Sequence, residues 1–392
     1  MSDITLLPTE QLVAPLRHVS EPSTIHGRVM DVINSRLDVV GPQSALSIND
    51  SHRFNLALSE PLVTATGVAD TAIQSSYTRS AWRHVHERLR IPLGYADRLQ
   101  QHEHAAVQDL GQSSINTLAA VDGRDALYRY LQTEEGLLLR AVRSDKFLML
   151  DNDAALVAIV KGLQRHELDL WDCEIDADIT PDRLRMRIAV PQIATSAKVL
   201  VHDYKSPFDG RSGSELPMLW AGLEFTNSET GAGAFQVSPR AVLEVCKNGM
   251  TSAVSFRRAH LGAALDAGEI DWSQETVSNA LRLISSQVND SVSTFLSTEW
   301  LDSLVQEMME AKGMEIDSIP KAVEVVQKRM SFSDAETESV LNMMLKGGDS
   351  SVFGMSQAIT AAAQLVSDGD RQQEMEMAAS KVNASPAQYV GA

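Results

Sequence analysis

Aromatic residues are scarce in this chain: Phe, Trp and Tyr make up 5% of its 392 residues. Surfaces that stack successive bases need such rings, so binding of a nucleic acid by stacking alone is disfavoured. Cysteine is scarcer still. Cys173 and Cys246 are the only two, with no Cys-x-x-Cys, which excludes a readable zinc or dithiol framework. No apolar run approaches the ~18 residues of a membrane-spanning helix. The opening segment MSDITLLPTEQLVAPLRHVS lacks the charged leader and apolar core of a secretory signal. The expectation is therefore a cytoplasmic protein with no membrane partner. Missing as well are a Gly-Lys-Ser/Thr phosphate loop, a His-Glu-x-x-His pair, a calcium loop and a serine elbow. No catalytic residue, metal site or cofactor is expected, and a non-enzymatic role is favoured.

What the chain has is negative charge, unevenly placed. The net charge is −18. Residues 266–392 hold 20 acidic against 8 basic residues, a net of −12. A field of this sign keeps a protein soluble and repels polyphosphate, so any nucleic-acid contact needs a local basic patch. The acidic C-terminal part could also shield a less acidic N-terminal part.

The periodicities indicate an α+β protein: an N-terminal arm and helices, a central antiparallel sheet with packed helices, and a helical C-terminal region. Residues 1–50 show no sustained period and read as an arm, 51–265 as the α+β core and 266–392 as acidic helices. Ala81, Trp82, Val85 and Leu89 recur at helical spacing before Pro92. ALYRYLQTEEGLLLRAVRS reads as two strands around a turn in which Gly136 takes positive φ. Asn152 or Asp153 is placed to cap the next helix. In LWDCEIDADITPDRLRMRIAVP apolar residues from Trp171 to Val190 alternate with acids on one strand and with Arg183, Arg185 and Arg187 on the next. Cross-strand ion pairs account for both charged rows. AKVLVHDY reads as a further strand. Beyond Asp271 the pattern is helical, with Ser273, Ser297 and Ser333 placed as N-caps, Pro320 in a first turn, a break at Gly347-Gly348, an Ala-rich helix from Met355 to Val366, and a frayed end.

Each eye-catching stretch has an ordinary reading. Gly231 and Gly233 in LEFTNSETGAGAFQVS lack the following lysine and helix of a phosphate loop, so they read as a hairpin turn. Cys246 beside Lys247 has no placed base, and reads as a small buried residue. His84/His86 and His102/His104 sit two apart on helical segments and point to different faces, so neither pair chelates. The most basic local stretch is SFRRAHLG. If folding gathers Lys198, Lys205, Arg240, Lys247, Arg257 and Arg258, they form a phosphate-tracking groove; the plain alternative is a solvated surface with local ion pairs.

Several pieces resemble one family, the phage/plasmid-like proteins of mobile elements, a family of unknown function. They are IPLGYADRL, LLLRAVRSDKFLMLDN, GLEFTNSETGAGAFQVSPRAVLEVCKNGM, RRAHLG and VFGMSQAITAAAQ. The family pattern of Ser-Asp-Arg/Lys-Tyr is kept here as Ser144-Asp145-Lys146, with Phe147 where tyrosine is usual. Its Asn-Ser-Glu-x-Gly is kept as Asn227, Ser228, Glu229 and Gly231, and Cys246, Asn248, Gly249, His260 and Gly262 match as well. The likeness spans roughly residues 90–380. It implies a phage or mobile-element origin and no reaction. Together with the basic stretch it leads to the expectation of a DNA-transaction protein that binds or anneals single-stranded DNA. The alternative is a phage structural or assembly protein that self-associates or docks a partner through its acidic helices.

Overall fold

The computed structural model describes Gly27 and residues 30–64, 67–69, 71–147, 150–245, 249–251, 256–258 and 273–390. Its class is α+β, as the periodicities indicate. Two six-stranded sheets carry it rather than one.

The first sheet has the order β1-β7-β8-β6-β3-β2. It is built from β1 (Arg36–Pro42), β2 (Leu46–Ile48), β3 (Phe54–Ala57), β6 (Ala72–Tyr77), β7 (Asp125–Thr133) and β8 (Gly136–Ser144). A small hairpin, β4 (Leu62–Thr64) and β5 (Gly67–Ala69), projects between β3 and β6. β1 and β2 lie inside the segment that reads as an arm. Short alternating stretches such as RLDVVGP escape a sequence reading because β1 is held by its antiparallel pairing to β7. The β7–β8 turn is as expected, with Gly136 at φ 116°. One face of the sheet is apolar: Phe54, Ile73, Tyr128, Tyr130 and Leu139 pack against α1 (Arg79–Leu89), α2 (Leu93–Gln100) and α3 (Ala105–Ala120). α1 follows β6 directly. Thr78 caps it through its hydroxyl, and Trp82, Val85 and Leu89 form its buried stripe.

The second sheet has the order β13-β12-β11-β10-β9, with β14 also on β12. After α4 (Asn152–Gln164) come β9 (Glu174–Ile179), β10 (Leu184–Ser196), β11 (Met218–Asn227), β12 (Phe235–Leu243), β13 (Gly249–Thr251) and β14 (Phe256–Arg258). Strand alternation puts Ile175, Met186, Leu223 and Val237 on one face, inside the main core. The other face carries Arg185, Arg187, Glu224 and Arg240. The turn from Ser228 to Ala234 closes the β11–β12 hairpin, with Gly231 at φ 77°. Two local readings are corrected. Leu170–Asp172 is a 3-10 turn ahead of β9, and AKVLVHDY is helical, as α5 (Lys198–Val201). There Leu200 and Val201 turn into the core while Lys198 and Val199 face solvent, a split that a strand's alternation would not produce.

The C-terminal region is helical: α6 (Gln274–Phe295), α7 (Thr298–Lys312), α8 (Ile319–Met330), α9 (Asp334–Gly347), α10 (Val352–Ala363), α11 (Gly369–Ala384) and α12 (Ala387–Val390). Ser273, Ser297 and Ser333 are N-caps, the last with a full capping box to Glu336. Every residue of α10 is buried, as expected of a helix without a polar face. The described residues up to 390 do not fray as expected: Tyr389 of α12 is 2% exposed and Arg329 lies over its ring. Among the described residues no helix is long and apolar enough to cross a membrane.

Candidate functional site: the corner between the sheets

The far face of the first sheet meets the hairpin end of the second around one carboxylate. Glu229 accepts hydrogen bonds from Arg140 Nη1 of β8 at 2.7 Å, from Arg36 Nη1 of β1 at 3.0 Å and from the backbone N–H of Asn152, the first residue of α4, at 2.8 Å. Its backbone oxygen accepts from Arg129 Nη1 at 2.8 Å. Arg129 also grips Asp38 through both arms of its guanidinium and reaches Asp151. Burial alone would raise the Glu229 pKa. Arg140, the Asn152 amide, Arg36 and Arg129 outweigh it and hold the carboxyl below its ordinary value. Asn227 secures the same junction through Leu150 O and Asn152 Oδ1. Asp151 stands at the cap position of α4, but its side chain makes no capping bond; the Glu229 carboxylate serves that helix end instead.

Several segments singled out by their motifs thus meet here. Asp151-Asn152 and Asn227-Ser228-Glu229 form the junction. Arg143, just before Ser144-Asp145-Lys146, donates from Nε to Thr230 O at 2.8 Å and lies over the Phe147 ring at 5.1 Å. A Cβ on Gly231 would fall 2.4 Å from Arg143 Nη2, so a side chain there would displace the guanidinium as well as strain a backbone at φ 77°. β14 pairs Arg258 with Phe235 and Arg257 with Gln236, which places that strand at the same end of the sheet.

Beside the junction is a group of cations. Arg88 Nε donates to Gln43 Oε1 and its Nη2 to Asp125 O, neither a carboxylate. Among the described residues Arg83 has ion-pair contact only with Glu87, at 3.6 Å. The Arg143 guanidinium is pushed down to about 10, by burial first and then, against the opposing pull of Glu87, by Arg83 and Arg88. The imidazole of His84 is driven down to about 2 by burial and by the charges of Arg143 and Arg83. Among the described residues neither of its ring nitrogens has a hydrogen-bond partner, and the same holds for Arg83 Nε and for Nε and Nη2 of Arg140. Lys146 is exposed at the rim.

Of the six cations anticipated as a groove, the five described ones are not gathered into one. Arg240 is 5% exposed and held by Glu376 and Glu224. Lys198 and Lys205 are exposed, but they follow β10 at the sheet end where Ser196 pairs with Met218 and Leu219 with Leu243. Arg257 is opposite Gln236, seven residues back along β12, or about 23 Å at strand rise. Lys247, like Cys246, lies outside the described residues. The charged sheet face is spent internally. Register sets Arg187 against Asp176, and the two pair as anticipated. Arg185 instead bonds Glu224 and Glu376, and Arg183 pairs with Asp370 at the start of α11. α11 thus covers a face that the strand pattern alone assigns to solvent.

The cationic corner has a signal in the sequence: RSAWRHVHERLR, residues 79–90, holds four arginines. Among the described residues no group of three or more His, Cys, Asp or Glu could hold a metal ion. No family model matches the chain, and no curated protein or solved structure matches it.

Proposed function

We propose that the protein is a non-enzymatic participant in DNA transactions of a phage or mobile element, holding single-stranded nucleic acid by its phosphates at the corner between the sheets. The supporting observation is the Arg83–Arg88–Arg143 group, in which Glu87 is the single carboxylate within ion-pair reach among the described residues. Like charges held together cost free energy, and a polyanion relieves that cost. Lys146 extends the group outward, and the strand bearing Arg257 and Arg258 lies at the same sheet end. With few exposed aromatics, binding rests on phosphates and falls steeply with salt.

The test is fluorescence anisotropy of a labelled single-stranded oligonucleotide at low salt. Micromolar or tighter binding is expected, and Arg83→Glu with Lys146→Glu should abolish it. A wild-type protein that leaves the oligonucleotide free under these conditions removes the reading. The rival reading, docking of partners through the acidic helices, draws less support. Glu336 and Glu376, both in those helices, are committed to Arg371 and to Arg240 and Arg185.

A further inference from the structure

The first sheet ends on one side in β1, whose 7 residues pair with β7 and, among the described residues, with no strand on their other side. The register shows which backbone groups face outward. Gln132 N–H donates to Ser35 O at 2.8 Å, and Gln43 N–H donates to Arg124 O at 2.8 Å. Ser35 and Gln43 therefore belong to hydrogen-bonded pairs with β7. Such pairs alternate along an antiparallel ladder, so Leu37, Val39 and Gly41 belong to them as well. The N–H and C=O groups of Arg36, Asp38 and Val40 point the other way, away from β7. Pro42 is next in that outward set, where an edge strand tolerates a residue without an N–H; its carbonyl accepts from the Tyr128 hydroxyl at 3.2 Å.

The strand carries few of the features that keep an edge from pairing. It has no lysine, and its two charges are spent within the chain, Arg36 on Glu229 and Asp38 on Arg129. Val40 is 61% exposed on that charged face. On the opposite face Leu37 and Val39 lie half-buried at the rim of the apolar core.

We propose that β1 pairs antiparallel with β1 of a second copy about a two-fold axis at Val39, so that the first sheets of the two copies run on as one. Charge and overlap select this register. An axis at Asp38 sets the two Asp38 side chains directly opposite, and like charges so placed destabilise a ladder. An axis at Leu37 overlaps only Arg36 to Asp38, because residues 30–34 ahead of the strand are helical. With the axis at Val39 the whole strand overlaps. Asp38 then faces the partner's Val40 and Arg36 the partner's Pro42, so no like charges are opposed. The outward N–H and C=O groups of Asp38 and Val40 satisfy one another across the axis. On the apolar face Val39 meets the partner's Val39, which covers the open rim of the core. A net charge of −18 opposes contact between copies. At this edge the facing side chains are uncharged or already neutralised, so two copies can approach here. The same patch serves both copies, and the contact closes at a dimer. This inference does not depend on the phosphate reading.

Sedimentation velocity of the full chain, without nucleic acid, reads the oligomeric state. A dimer is expected at about 100 µM chain, roughly a hundredfold above a micromolar Kd. Val40→Pro removes an outward N–H that β7 does not use, and Val40→Asp sets a second carboxylate against the partner's Asp38. Each should weaken the dimer about tenfold or more, with the far-UV circular dichroism unchanged. The exposed position of Val40 lets the aspartate variant fold. Disulfide formation reads the register. In this pairing the two Val39 Cα atoms are about 4.5 Å apart, within disulfide reach, and the two Leu37 Cα atoms about 13 Å apart. Oxidised Val39→Cys should run as a cross-linked dimer. Leu37→Cys should not, nor should the wild type, which keeps Cys173 and Cys246. A monomer at about 100 µM overturns the proposal, whether the edge stays open or is covered by residues outside the described set. A dimer indifferent to both Val40 variants overturns it too, as does one that cross-links through Leu37→Cys and not through Val39→Cys.

Discussion

Arg140 and Glu229 come from different sheets, are each 1% exposed, and meet at 2.7 Å. They lie 89 residues apart in sequence. Around them Arg36, Arg129 and Asn152 add hydrogen bonds that tie β1, β7, β8 and α4 to the β11–β12 hairpin.

Removing one partner of such a buried group leaves the others charged and unpaired. Glu229→Ala is expected to lower stability by about 3–5 kcal/mol, read as a shift in the urea unfolding midpoint. A loss below ~1 kcal/mol would mean that the junction is open to water.

Asp182, in the turn between β9 and β10, accepts from Thr78 Oγ1 at 3.4 Å. Burial pushes its carboxyl up to about 6, against the opposing pull of Ser80, Arg140, Thr78 and Arg83. Between pH 3.8 and about 6 the folded protein therefore keeps a proton that the unfolded chain has released. Stability falls as pH rises through that window, by about 3 kcal/mol for a shift of this size. Asp182→Asn should match the wild type below about pH 4 and exceed it above pH 6 by roughly 2–3 kcal/mol. Urea titrations at a series of pH values check this; parallel curves would refute it.

Gly231 stands at φ 77° with Arg143 Nη2 in the space of a Cβ. Gly231→Ala should cost about 1–3 kcal/mol through backbone strain and displacement of the guanidinium. Thermal unfolding measures it. Gly123, with nothing within 4 Å of its Cβ position, is the control.

Arg83 is 40% exposed and not hydrogen-bonded through Nε. If it contacts one phosphate, Arg83→Ala should reduce the slope of log affinity against log salt by about one, with unfolding unchanged. Arg240→Ala should behave oppositely: it should lower stability by about 3–5 kcal/mol by leaving Glu376 and Glu224 short of a partner. An effect of Arg240→Ala on affinity alone would contradict its burial.

Local features of this protein were legible in its residues because their causes are local. The turn at Gly136, the hairpin around Gly231, the serine caps at 273, 297 and 333 and the two-faced β9–β10 pair all follow from backbone geometry and side-chain alternation over a few positions. So did the α+β class and the helical C-terminal region. The destination of each charge was another matter. Alternation placed Arg185 and Arg240 on a polar sheet face, but it could not say that Glu376, 136 residues beyond Arg240, would cover that face on α11. Nor could it show that Arg36, Arg129 and Arg140 would turn inward to Glu229 while Arg83, Arg88 and Arg143 were left with little carboxylate. Electrostatic pairing acts through space over a few ångströms, so which cations are spent inside and which remain for a partner is decided only when the two sheets and the C-terminal helices come together.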